Sequence, residues 1–158
     1  MTRRTVTFEV IGVAAPKGST KAFMPKGARF PIVTHDNART KGWQHLVSDQ
    51  AQKVAGDLFS GPVLLWVKFY LPRPISLPRK VLGHTKKPDL SKLVRCVEDA
   101  LTGVLYHDDA QIVELHTAKY YAAPDKPARA VITVEDFTPA PVEPGELFTE
   151  DVHAPTNA

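Results

Sequence analysis

The residues of this chain best suited to chemistry lie in one stretch. It begins Lys87-Pro88-Asp89-Leu90-Ser91-Lys92-Leu93-Val94-Arg95 and continues to Glu98-Asp99-Ala100-Leu101-Thr102-Gly103-Val104. It ends His107-Asp108-Asp109-Ala110-Gln111-Ile112-Val113. Asp89 stands before an amphipathic segment, Asp99 within it and the pair Asp108-Asp109 beyond it. A helix from Lys92 to Thr102 rises roughly 17 Å. An extended run from Gly103 to Asp109 covers roughly 20 Å, enough to return along the helix and bring Asp108 or Asp109 beside Asp89. Two or three carboxylates gathered there suit Mg²⁺, a hard cation that takes oxygen ligands. Such an ion activates water and offsets the charge that builds on a phosphate under attack. The helix N-terminus itself favours phosphate. Taken singly, the residues have plainer readings: Asp89 and Ser91 as helix caps, Asp108-Asp109 as a solvated turn.

The elements that must position these groups follow from periodicity. Thr5 to Val13 alternates, with Val6, Phe8 and Val10 on one face, and predicts a strand. Phe30 to Thr34 suits a short strand. A helix capped by Asp36 or Asn37 runs to about Val54, its buried face carrying Trp43, Leu46, Val47, Gln50, Ala51 and Val54. Val63 to Leu71 is almost unbroken apolar sequence, which predicts a central strand covered on both faces. Pro72, Pro74, Pro78 and Pro88 mark a long irregular connection. The second helix has Ser91 as N-cap, Gly103 as stop and an apolar stripe of Leu93, Val97, Ala100, Leu101 and Val104. Strands follow near Ile112–Tyr121 and Arg129–Asp136. The sum is an α+β (mixed α/β) fold, a mixed sheet with two main helices packed on it.

Composition narrows the function. With 158 residues, the chain is long enough for one domain, expected over 1–137. Residues 138–158 make a Pro-rich acidic tail, expected to be disordered. The tail has no Lys or Arg but holds Glu143, Glu146, Glu150 and Asp151. Removing those four acids from the net charge of +3 leaves residues 1–137 at +7. A body that basic suits a polyanion. From Leu58 to Pro88 there is no Asp or Glu, while Lys68, Arg73, Arg79, Lys80, Lys86 and Lys87 lie there. Lys17, Lys21, Lys26 and Arg29 add a basic first loop, and Lys119 sits on a predicted strand. Phosphate contacts by Lys17, Lys21, Arg73, Arg79, Lys80, Lys86, Lys87 and Lys119 would give affinity without sequence preference.

Other classes find less support. No stretch approaches the ~20 apolar residues of a membrane helix. The N-terminus lacks an apolar signal core. Cys96 is the single cysteine, so no internal disulfide forms; a reducing bacterial cytoplasm fits. No His-x-x-x-His or Cys-based zinc spacing occurs. His107 abuts the acidic pair as a possible ligand or base. Trp43 and Trp66 read as core anchors, and Cys96 as a partly buried packing residue.

Pro-Asp-Leu-x-x-Leu, then Asp-Ala-Leu-x-Gly, then Asp-Asp-x-Gln-Ile resembles the signature of the RusA family of Holliday-junction resolvases, closely over about Lys86 to Tyr121. The early Pro16-Lys17 and the Tyr70–Pro74 run are compatible with it. The resemblance implies a small homodimeric endonuclease, often phage-encoded, that depends on Mg²⁺ and nicks four-way or branched DNA symmetrically, with Mn²⁺ as a possible substitute. It implies Asp89 and Asp109 as catalytic, metal-binding aspartates, with Asp108 and Asp99 as further acids. Two positions depart from the family pattern. Ser91 stands where a second metal-binding aspartate is usual, and Arg95 where a functional lysine is usual. Arginine keeps the charge but cannot donate its proton. The alternative is therefore a junction-binding protein with weakened cleavage. Further alternatives are a nuclease for flaps or forks, and a basic accessory protein that binds other proteins.

Overall fold

β1 (Thr5–Ile11) forms as its alternation predicts, with Val6, Phe8 and Val10 inward and the residues between them exposed. It stops two residues early because Gly12, at φ +149°, turns the chain away from the strand and against the Trp43 ring. The computed structural model describes residues 2–18, 21–23, 26–27, 29–30, 32–34 and 38–139. The expected caps Asp36 and Asn37, and all of the expected tail from residue 140 onward, lie outside the described residues.

After β1 come β2 (Lys21–Phe23), which periodicity does not mark, and β3 (Ile32–Thr34). Next are α1 (Ala38–Val54), β4 (Val63–Leu71) and α2 (Leu90–Leu101). A 3₁₀ turn at Asp109–Gln111 then leads into β5 (Ile112–Tyr121), followed by β6 (Arg129–Asp136). The main sheet has the order β1-β6-β4-β5. β6 is antiparallel to β1 and β4, while β5 is parallel to β4. The fold is thus α+β with a mixed sheet. A parallel pair needs a crossover, and α2 lies in it. No described helix is long and apolar enough to cross a membrane.

The helices cover one face of the sheet. β4 sends Val63, Leu65, Val67, Phe69 and Leu71 inward into the core cluster that also holds Leu93, Val97 and Leu101 of α2. Each fully buried leucine contributes about 1.5–3 kcal/mol through lost apolar contact with water. α1 buries Thr40, Trp43, Val47 and Ala51. Leu46 and Val54, expected inside, stay partly in solvent, because only one side of α1 meets α2 and β1.

The other face of the sheet is open, which corrects the expectation for β4. Trp66, expected in the core, is 38% exposed there and stacks on His116 with ring centroids 3.9 Å apart. Arg129 lies over the Tyr70 ring on the same face. β4 alternates after its first three residues, and of its outer set only Leu64 is buried.

Candidate functional site

α2 begins two residues before the position its pattern suggests. Asp89 occupies the N-cap, and Ser91, expected there, falls in the first turn. The Asp89 carboxylate makes no capping hydrogen bond; it faces Lys92 at 3.7 Å and stays exposed. It borders a cleft of about 550 Å³ whose polar lining includes Arg39, His84, Lys87 and Lys92, with Val13 and Leu71 among the apolar walls.

The segment entering α2 is held from behind. Lys119, on β5, donates to the carbonyl oxygens of Lys86 at 2.6 Å and Pro88 at 2.8 Å. His84 packs on Tyr121, with centroids 4.5 Å apart. Burial, aided by the Lys119 charge, holds the His84 imidazole below its ordinary pKa. Residues of the first loop are pinned to both helices. The Thr40 hydroxyl donates to the Pro16 carbonyl at 2.8 Å, and the Lys17 N–H to the Lys92 carbonyl at 3.0 Å.

The second group of acids gathers at the far end of α2. The chain after the helix does not extend back toward Asp89. Gly103, at φ +77°, admits a left-handed turn that L side chains resist, and its N–H donates to the Tyr106 carbonyl at 2.7 Å. The Tyr106 hydroxyl then donates to the Glu98 carbonyl at 3.1 Å. The ring is fully buried, and burial pushes its pKa up. This tight return brings Asp109 toward Glu98. Burial, then the charges of Asp109 and Asp99, raises the Glu98 pKa. From Asp89 to Asp99 is ten residues, so the two ends of α2 lie roughly 15 Å apart along its axis. The expected meeting of Asp109 with Asp89 within one chain therefore does not occur.

The adjacent aspartates differ in what they do. The Asp108 carboxylate caps the 3₁₀ turn, accepting from the Ala110 N–H at 2.8 Å, with Gln111 completing a capping box. Asp109 is exposed and has no ion pair among the described residues. Asp99 pairs with Lys17 at 2.5 Å. Gln111 ties this loop to the entry of β4. Its Oε1 accepts from the N–H groups of His107 at 2.8 Å and Asp108 at 3.1 Å. Its Nε2 donates to Phe59 at 2.9 Å and Gly61 at 2.8 Å. Ser91, Arg95 and His107 are exposed.

Among the described residues, no three His, Cys, Asp or Glu side chains stand close enough to hold a metal by themselves. Mg²⁺ does not require that; it commonly takes one or two carboxylates and completes its shell with water and substrate phosphate. Asp109 and Asp99 offer those donors, and Lys17, now paired with Asp99, stands where a cation is already favoured. The residues present fit such an ion.

The basic candidates divide by partner. Arg79, Lys80, Lys86 and Lys87 are exposed along the connection from β4 to α2. Arg73 instead donates to the carbonyls of Ala122, Pro78 and Val81 at 2.9, 3.0 and 2.7 Å, closing that connection on itself. The side chain of Lys21 lies outside the described residues. Glu98, Tyr106 and Gln111 enter the site without having been singled out in the sequence. Only Gln111 carried a readable signal, the Asp-x-x-Gln spacing of a capping box.

Comparison with known proteins gives the arrangement a context. The profile described as "Endodeoxyribonuclease RusA" matches residues 14–135. "Uncharacterized protein YqaN" of Bacillus subtilis (strain 168) is 29% identical over 128 residues, covering 74% of this chain and 88% of that protein. The matched region runs from the first loop through both groups of acids to the end of β6, so the chain belongs to the RusA endodeoxyribonuclease family.

Proposed function

We propose that this chain is a Mg²⁺-dependent endonuclease that resolves Holliday junctions and related branched DNA. It would do so by paired, symmetric phosphodiester cuts, acting as a homodimer. The observation that carries the reading is that Asp109 and Asp99 both stand near Glu98 at the C-terminal end of α2, in a RusA-family chain whose other conspicuous stretch is uniformly basic. Two symmetric cuts call for two symmetry-related sites, which a two-fold dimer supplies. A phage or prophage source and action in the bacterial cytoplasm belong to the same reading.

Asp109 and Asp99, with Asp108, are the residues we assign to the metal within one chain; Asp89, at the other end of α2, would join such a site only from a second copy, and Ser91 beside it is a weaker, neutral donor. When bound, the ion supplies an activated water and offsets charge on the scissile phosphate. Mn²⁺ would serve in its place, since the donors are hard oxygens. Arg95, exposed on α2, grips phosphate without acting as an acid. Lys86, Lys87, Arg79 and Lys80 steer the junction arms through their charge. Lys17 holds Asp99 in the free protein and turns to phosphate when DNA arrives. Arg73 and Lys119 support the loop that DNA would contact.

A second reading is favoured by one observation. Ser91 leaves the first turn of α2 without a second acid, so the chain would bind junctions and cut them weakly. Cleavage of a labelled four-way junction in Mg²⁺ by wild type, Asp89→Asn and Ser91→Asp decides between the two. Cutting by wild type that Asp89→Asn abolishes supports the nuclease. Binding without cutting, with activity only in Ser91→Asp, supports the binder. Comparison of junctions, forks, flaps and linear duplex defines the substrate. Affinity that fails to fall with salt would point away from DNA altogether.

A further inference from the structure

β5 is an edge strand, and only part of its edge is covered. Its last residues are capped by the loop before α2: the His84 N–H donates to the Lys119 carbonyl at 3.1 Å, and the Tyr121 N–H to the Leu82 carbonyl at 2.8 Å. Backbone groups alternate sides along a strand. Those of Leu115 and Thr117 therefore point the same way as those of Lys119 and Tyr121. Among the described residues, no strand pairs with that upstream edge. The side chains beside it are apolar and open, with Val113 55% and Leu115 43% exposed. Free edges of this kind are templates for another strand, and proteins ordinarily blunt them with charge or proline. Here Glu114 and His116 are paired with each other on the open face of the sheet, and Val113 and Leu115 stand exposed on the other.

Charge decides what the edge fits. The exposed pair Asp108-Asp109 precedes β5. At its other end stand Lys119 and, through the hydrogen bonds it donates, the segment bearing exposed Lys86 and Lys87. The edge is acidic at one end and basic at the other. A second copy laid antiparallel meets acid with base at both ends. A parallel copy would set like against like.

We propose that the open edge of β5 is the two-fold interface of the homodimer, pairing antiparallel with β5 of a second copy at or next to Leu115. The proposal rests on the dimer put forward above and not on its chemistry. The pairing continues the sheet across the dimer and buries Val113 and Leu115 of both copies. It also turns Asp108-Asp109 of each copy toward the partner's loop that carries Lys86 and Lys87. Two-fold antiparallel pairing is self-complementary and closes after two chains, leaving no β5 edge for a third.

The test uses the full chain without DNA or metal, so failure of the nuclease reading leaves it untouched. Light scattering is expected to give twice the 17.4 kDa chain mass for wild type. Val113→Lys combined with Leu115→Lys is expected to give the single-chain mass with an unaltered far-ultraviolet circular dichroism spectrum. Leu115→Cys with a short bis-maleimide is expected to yield a covalent dimer. Wild type, whose Cys96 is buried, and Thr7→Cys on the opposite edge strand β1 are expected to yield none. A monomeric wild type overturns the proposal. So does a dimer indifferent to the lysine substitutions, or cross-linking at Thr7 in place of Leu115. Should the double variant fail to fold, the cross-linking alone decides.

Discussion

The ammonium of Lys119 donates to the carbonyl of Pro88 at 2.8 Å, and so a side chain from the sheet holds the residue that precedes Asp89. The same group reaches Lys86 at 2.6 Å. Hydrogen bonds from a charged donor are worth about 1.5–3 kcal/mol each. Lys119→Met should therefore lower stability and loosen the approach to α2, in a protein that still folds. A misplacement of about 1 Å at a reacting group can cost about 100-fold in rate. We expect kcat on a junction to fall about 10-fold or more, with junction affinity changing by much less. Equal losses in both would mean that Lys119 contacts DNA directly.

Asp89 and Asp109 lie at opposite ends of α2, yet the β5 pairing turns Asp109 of one copy toward the segment that leads into the partner's Asp89. Asp89→Asn and Asp109→Asn should each slow cutting about 100-fold or more, the scale of losing a group that acts only in the transition state. After subunit exchange, an equal mixture of the two dead variants should recover about a quarter of wild-type nicking, since half the dimers are mixed and each holds one intact pair. No recovery would mean that each chain carries its own complete site.

Gln111 makes four hydrogen bonds between the acid loop and the entry to β4. Gln111→Ala should cost about 1–3 kcal/mol, because it leaves polar groups of Phe59 and Gly61 without partners. It should also lower kcat, although the residue is no metal donor. Thermal melting and single-turnover cleavage separate the two effects.

His84 is held below its ordinary pKa of 6.5 by burial and by Lys119. Because its folded value is depressed, the folded protein takes up this proton less readily than the unfolded chain. The contribution to stability is present above about 6.5 and is lost as pH falls below it. Melting temperature without metal should drop between pH 7.5 and 5.5 in wild type. The drop should be smaller in His84→Phe, which keeps a ring against Tyr121. An identical drop in both would assign it elsewhere.

Much of this is legible in the sequence. β5 and β6 fall where turn residues and β-branched runs put them, and Gly103 ends α2 because only a left-handed turn follows. Asp89 and Asp109 could be picked out by residue type. Their separation could not, since it depends on Tyr106 folding back onto Glu98, a contact with no periodic signature. Trp66 misled for a related reason. An apolar run such as Val63–Leu71 does not say whether a second layer covers the sheet, and here none among the described residues does. The basic residues were visible as charges, but Arg73 and Lys119 turn that charge inward onto carbonyls, a choice made by tertiary structure.

Gln111 also limits how this family member can be altered. A glutamate at that position would seem a ready way to restore the acid missing at Ser91, since it would lie beside Asp108 and Asp109. The carboxamide is needed on both sides, however: its oxygen takes two backbone N–H groups and its nitrogen gives to two carbonyls. A carboxylate can accept but not donate, so Phe59 and Gly61 would face a negative charge instead of a donor. The spot nearest the acids that looks most open to a further ligand is therefore closed to one. Any gain in metal-binding charge has to come from α2.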